Sequence, residues 1–197
     1  MRVKGTYALL THNPMSMFIA NDNNGKAKKG ARTIPTAEAE AEAGLYHLED
    51  GGFGLPGFAF RNSILATSSR WKMPKSRTSL IYDLASLMVI EDLVPLINDD
   101  GSRITSYEIH TMRAVVQGNG IPRSRPKFRH WGAEFTLEYD EELGVTPELI
   151  RDIASDAGKR TGVGDYRPQK VKGLPGPFGR YAVVSCEPIA LFLEAAQ

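Results

Sequence analysis

The sequence predicts an α+β protein built on an antiparallel sheet, with helices on one face and a large insertion. Three stretches carry that prediction. Residues 131–139 alternate, with Ala133, Phe135, Leu137 and Tyr139 on one side and Glu134, Thr136 and Glu138 on the other. That is the pattern of a strand buried on one face only. Residues 147–160 place Leu149, Ile150, Ile153, Ala154 and Ala157 at helical spacing. Thr146-Pro147-Glu148 opens that helix with a side-chain cap, a proline at the first helical position and an acid for the dipole. Tyr181 to Cys186 then reads as a closing strand.

The remaining elements follow in chain order. Residues 2–11 read as a first strand, stopped by His12-Asn13-Pro14. Residues 20–33 lack apolar periodicity and read as a loop, after which Thr36 caps a short Ala/Glu-rich helix at roughly 37–47. Gly51, Gly52, Gly54 and Gly57 mark turns before a helix at 58–71, with Phe58, Ile64, Leu65 and Trp71 as its buried positions. Residues 78–97 are apolar and partly β-rich, and their periodicity assigns neither state. Asn98-Asp99-Asp100-Gly101 is a turn, and 106–117, with Tyr107, Ile109 and Val115, a strand. The order of strands and helices points to a ferredoxin-like or RRM-like βαββαβ sheet in a single domain, 1–197. Its core is expected at about 2–11, 58–71 and 131–187, with the insertion at about 78–130.

Composition narrows the setting. Apolar residues make up 42% of the chain, enough for a core without covalent staples. Cys186 is the single cysteine, which rules out an internal disulfide and a cysteine-based zinc site. No run approaches the ~18–20 apolar residues of a membrane span, and the start MRVKGTYALL lacks a signal-peptide pattern. No membrane partner and a cytoplasmic location are expected.

Net charge is +1, yet the charges are segregated. Gly51 to Tyr82 holds no acid and five bases: Arg61, Arg70, Lys72, Lys75 and Arg77. Ile109 to Ala133 holds no acid and carries Arg113, Arg123, Arg125, Lys127 and Arg129. Residues 157–180 set Lys159, Arg160, Arg167, Lys170, Lys172 and Arg180 against Asp165 alone. A near-neutral total can therefore hide a basic face suited to a polyanion. The plainer alternative is a set of solvated loops.

Two constellations sharpen the polyanion reading. The loop GVGDYRPQKVKGLPGPFGR contains Gly162, Gly164, Gly173, Gly176 and Gly179, with Arg167, Lys170, Lys172 and Arg180 for charge. Glycines let a backbone approach phosphate oxygens closely. The loop precedes a strand and lacks Gly-Lys-Ser/Thr, so it is neither a P-loop nor a dinucleotide fingerprint. The second constellation is 123–131, where Arg123, Arg125, Lys127 and Arg129 interleave with Phe128 and Trp131. Cations there would neutralise phosphates and Phe128 would stack on an unpaired base, while core packing is the natural reading of Trp131. Arg61 extends the expected surface. No catalytic residue, metal site or cofactor is assigned: His12, His47, His110 and His130 are scattered, and no nucleophile elbow or HExxH is present.

The strand, helix and Gly-rich loop before a last strand, with Gly162, Gly164, Gly173, Gly176, Gly179 and Arg180, resemble the RAMP superfamily of CRISPR systems. The GVGDYRP…GPFGR ending is also similar to that of phage-encoded proteins. The resemblance covers roughly the last third of the chain. It implies binding of RNA or single-stranded DNA on a sheet or groove, by repeated copies along a strand. The function expected is non-catalytic binding of that strand by copies that self-associate or join a multi-subunit complex. A phage structural or host-protein-interaction protein is the alternative. A small RAMP-type endoribonuclease using His12 or His130 is a third reading.

Overall fold

The computed structural model describes residues 1–14, 35–73, 75–116, 119–169 and 175–189. In chain order the elements are β1 (Arg2–Gly5), β2 (Leu9–Leu10), α1 (Ala37–Glu42), β3 (Gly54–Pro56), α2 (Gly57–Ser68), β4 (Met88–Val89), β5 (Leu93–Ile97), β6 (Glu108–Val116), β7 (Asn119–Phe128), β8 (Gly132–Glu134), β9 (Leu137–Glu138), α3 (Pro147–Arg160) and β10 (Tyr181–Ser185). Five strands form the main sheet in the order β10-β1-β8-β5-β3, every neighbour antiparallel. Chain succession β1–α2–β5–β8–α3–β10 laid onto that order is the ferredoxin-like arrangement, with β3 added beside β5. The protein is α+β, as its sequence predicts. β5 lies within the 78–130 stretch read as an insertion, yet it is the second strand of the core. Between β5 and β8, the β6–β7 hairpin stands outside the main sheet.

Side chains of one face meet the helices. Val3 lies opposite Ala133 on one side and Val183 on the other, and Tyr181 lies opposite Gly5. Over them, Phe60 of α2 stacks on Phe135 with ring centroids 4.5 Å apart and meets Tyr181 edge-on at 6.2 Å. Full burial of side chains of this size contributes roughly 1.5–3 kcal/mol each. α3 turns Ile150, Ile153, Ala154 and Ala157 inward, and Thr146 caps it by accepting the Leu149 N–H at 3.2 Å. α3 runs so close to β10 that a Cβ on Gly158 would collide with the Tyr181 carbonyl oxygen. Buried hydroxyls are matched: Thr67 Oγ1 of α2 and Thr161 Oγ1 at the end of α3 are 2.6 Å apart, and Ser63 Oγ of α2 and Tyr181 Oη of β10 3.3 Å.

Two expected strands break in two. The first leaves the main sheet after Gly5, where the Thr6 and Tyr7 N–H groups both reach the Arg180 carbonyl oxygen. The chain then joins a second sheet, β2-β7-β6. The 131–139 strand bends at Thr136, whose N–H donates to both Glu91 carboxylate oxygens at 3.0 and 2.9 Å, and β9 pairs with β4. Phe58 is a correction as well. It is 63% exposed, because the core-facing stripe of α2 runs through Phe60, Ile64 and Thr67. A residue two positions before Phe60 points about 200° away around the helix.

Candidate nucleic-acid interface

β7 is a strand with Arg123, Arg125 and Lys127 alternating with Ser124, Pro126 and Phe128, paired to β6 from Glu108↔Lys127 to Val116↔Asn119. Each cation of this run already has a carboxylate. Arg123 Nη1 lies 2.8 Å from Glu40 Oε1. Arg125 Nε lies 3.0 Å from Asp165 Oδ2 and its Nη1 3.5 Å from Glu40 Oε1. Lys127 Nζ is 3.4 Å from Glu108 Oε2, and Arg129 grips both Glu108 oxygens at 2.9 Å. Those hydrogen bonds, Arg129's foremost, hold the Glu108 carboxyl at about 2, well below the usual carboxylate range. The run is thus a set of ion pairs rather than a field of free cations. Phe128 is 2% exposed and packs on Phe53 at 5.7 Å, so its ring offers no face to a base. Trp131 is buried too, and its Nε1 donates to the Tyr7 carbonyl at 2.9 Å.

The Gly-rich loop meets the hairpin through Asp165, joining two of the segments singled out from sequence. Its described glycines, however, serve internal packing. Gly164 (φ +76°) and Gly179 (φ +68°) occupy left-handed conformations, and a Cβ on either would collide with the Leu10 or the Val163 carbonyl oxygen respectively. Several of the loop's described N–H groups are spent internally as well. Gly162 N donates to Ala157 O, Val163 N to Gly179 O, Asp165 N to Leu10 O, Gly176 N to Arg167 O and Gly179 N to Ala8 O. Those amides are not available as a phosphate nest. Arg167 donates to the Gly164 carbonyl at 3.0 Å, whereas the Arg180 side chain is exposed. Lys170, Lys172 and Gly173 lie outside the described residues. Arg61 is a structural clamp that donates to the Leu87 and Ala85 carbonyls.

A group of cations without carboxylate partners lies elsewhere. Beyond α2 the chain folds back on itself: Leu80 N donates to Trp71 O at 2.9 Å and Ser76 N to Met73 O at 3.0 Å. Arg70, Lys72, Lys75 and Arg77 project from this loop, exposed, and none has a carboxylate partner among the described residues. Asp156 ties the loop's root to α3, accepting from Trp71 Nε1 at 3.3 Å and from Arg160 Nε. The Thr67–Thr161 contact and the Gln169 N–H on the Thr161 carbonyl bring the start of the Gly-rich loop to the same end of the molecule. Only Arg61 of the 51–82 run was expected at an interface. The acid-free run itself was the signal for the other four.

The outward face of the main sheet carries Arg2, Lys4, Glu134, Ala182 and Val184, and among the described residues its strands place no aromatic side chain there of the kind on which RRM sheets stack bases. A shallow hollow of about 350 Å³ there is lined by Arg2, Lys4, Ile97, Asp99, Gly132 and Val184. Lys4 is paired to Asp99 at 2.7 Å.

Among the histidines, His12 Nδ1 is 3.9 Å from Asp165 Oδ2. Burial, then the Arg125 charge, lowers its pKa from the ordinary 6.5, against the opposing pull of Asp165. His110 packs on Phe178, ring centroids 5.3 Å apart. Among the described residues no group of three His, Cys, Asp or Glu side chains is placed to hold a metal ion, and no helix is long and apolar enough to cross a membrane. In sequence comparison, no protein-family model and no curated protein matches this chain.

Proposed function

We propose that the protein binds the phosphate backbone of a single-stranded nucleic acid, RNA or DNA, without cleaving it, and does so in multiple copies along the strand. The observation that supports this best is the loop bearing Arg70, Lys72, Lys75 and Arg77, four exposed cations without carboxylate partners among the described residues. Unpaired cations on one loop release counterions on meeting a phosphate chain, which is the main source of sequence-independent affinity. Phe128 and Trp131 are buried, so affinity comes from charge more than from stacking.

Changing all four cations to glutamine, read by fluorescence anisotropy with oligothymidylate across salt concentrations, tests the reading. Each phosphate neutralised contributes roughly −0.7 to the slope of log affinity against log salt, so four lost contacts flatten it by about three units. Arg129→Gln, which breaks a pair already satisfied by Glu108, leaves the slope nearly unchanged. Equal slopes for wild type and the loop variant would remove this surface. Absence of wild-type binding to RNA, single-stranded DNA and duplex at low salt would end the reading that the 70–77 loop holds a nucleic acid.

A protein-contact role is the second reading. It is favoured by Phe58, Tyr82, Met88 and Ile90, which are 63%, 72%, 54% and 52% exposed. Met88 and Ile90 stand on the same side of the β4 segment, and α2, which carries Phe58, packs beside that strand.

A further inference from the structure

Residues 123–125 hold an anion, and that anion is the protein's own. Glu40 Oε1 lies 2.8 Å from Arg123 Nη1 and 3.5 Å from Arg125 Nη1, while Glu40 Oε2 accepts the Ser124 backbone N–H at 2.9 Å. Two guanidinium groups and a main-chain N–H converging on one oxyanion form a donor set that also suits a phosphate.

Three observations mark Glu40 as an occupant of this cradle rather than part of its frame. Glu40 comes from α1, a helix of six residues with Ala41 as its one buried residue, far below the ~12–15 residues at which an isolated helix becomes even marginally stable. Two of the three cradle residues are held without it: Arg125 is fixed by Asp165 at 3.0 Å and by the Ser124 carbonyl at 3.0 Å, and Ser124 Oγ by Thr111 Oγ1 at 2.9 Å. And the cradle opens to solvent through Arg123, whose side chain is 37% exposed.

We propose that Arg123, Ser124 and Arg125 form a phosphate site for the bound strand, and that Glu40 is a built-in competitor for it. A phosphate entering the cradle takes over the donors that Glu40 now uses, and α1 moves off the hairpin. The inference rests on the reading that the ligand is a phosphate-bearing strand, but not on the 70–77 loop.

Affinity is measured by anisotropy with oligothymidylate, and with inorganic pyrophosphate as competitor, for wild type, Glu40→Gln, Glu42→Gln and Glu40→Gln combined with Arg123→Gln. Glu40→Gln is expected to bind oligothymidylate tighter by about fivefold or more, because a larger fraction of molecules has the site open. Its salt slope steepens by roughly 0.7 for each phosphate admitted. Glu42, whose partners are Tyr107 and His47, removes the same charge from the same helix without touching the cradle, so Glu42→Gln leaves affinity unchanged. Adding Arg123→Gln cancels the gain. Glu40→Asp, which draws the carboxylate back by one methylene, gives a smaller gain in the same direction and covers the case in which Glu40→Gln does not fold.

Equal affinity of wild type and both Glu40 variants overturns the proposal, as does a gain that Arg123→Gln leaves intact. A gain for pyrophosphate alone overturns the assignment to a strand. Binding by Glu40→Gln but not by wild type supports this site and sinks the 70–77 surface, whereas loss of binding in the loop variant with no gain in Glu40→Gln does the reverse.

Discussion

Arg125→Met isolates the most enclosed charge of the hairpin. Arg125 is 8% exposed, and methionine keeps most of its apolar stem while removing the guanidinium. Glu40 retains Arg123 and the Ser124 N–H, so the group left behind is Asp165, whose side chain is 28% exposed. Breaking a fully buried pair from one side costs ~3–5 kcal/mol. Asp165 is partly solvated and keeps the Tyr166 N–H at 2.9 Å, which scales the cost to about 2–3 kcal/mol. For a chain of this length each kcal/mol moves Tm by roughly 2–4 °C, so the expected drop is on the order of 5–10 °C. Thermal unfolding followed by circular dichroism reads it, with Arg129→Met, which breaks an exposed pair, as a control expected to stay within the error of the scan. Adding Asp165→Asn to Arg125→Met should recover part of the loss, because it removes the stranded charge. A drop for Arg125→Met no larger than for Arg129→Met would refute the argument. Absence of recovery in the double variant would assign the loss to packing instead of charge.

Two further outcomes follow from the geometry. His12 has a folded pKa below its ordinary 6.5, set by burial and by Arg125 and Arg123 against Asp165 and Glu40. The unfolded chain therefore binds the proton more readily; His12 contributes stability above pH 6.5 that is lost as pH falls through the lowered value. Urea midpoints measured across that window should slope less in His12→Gln than in wild type, and an unchanged slope would discount the histidine. Phe60→Ala, which removes a ring of 0% exposure from between Phe135 and Tyr181, should cost ~3–5 kcal/mol by chemical denaturation. A loss under about 1 kcal/mol would mean that the helix–sheet core is looser than these contacts indicate.

What the sequence made legible was local. Thr146, Pro147 and the spacing of Ile150, Ile153 and Ala157 specify α3 without reference to the rest of the chain, and the 147–160 range matches to the residue. The alternation from Trp131 located β8, but the bend at Thr136 depends on Glu91, 45 residues away, and no local pattern announces it. β7 is hard to read from sequence because Pro122 and Pro126 argue against a strand, although Arg123, Arg125 and Lys127 keep period two. The candidate interface was least legible, for the same reason. Whether a cation is free depends on who stands opposite it, and Glu40 reaches Arg123 across 83 positions, Asp165 Arg125 across 40. A basic run shows what a surface could be, while pairing decides what it is. By that measure the 70–77 loop, whose composition is no more telling than that of 123–129, is the better candidate: its four cations have no carboxylate partner among the described residues.

The place of β1 in the main sheet constrains how the chain is made. Arg2 lies opposite Ser185, and β1 is flanked by β10 and β8 with no strand next to it that is close in sequence. On a ribosome adding ~5–20 residues per second, β1 therefore waits on the order of ten seconds or more for its last neighbour. Until then the edge of β1 that β10 covers is unpaired, while α2, the β6–β7 hairpin and α3 can form from contiguous chain. Closure of the sheet is a late, long-range event that sets a slow folding rate and leaves the nascent protein dependent on whatever shields an open strand edge in the meantime.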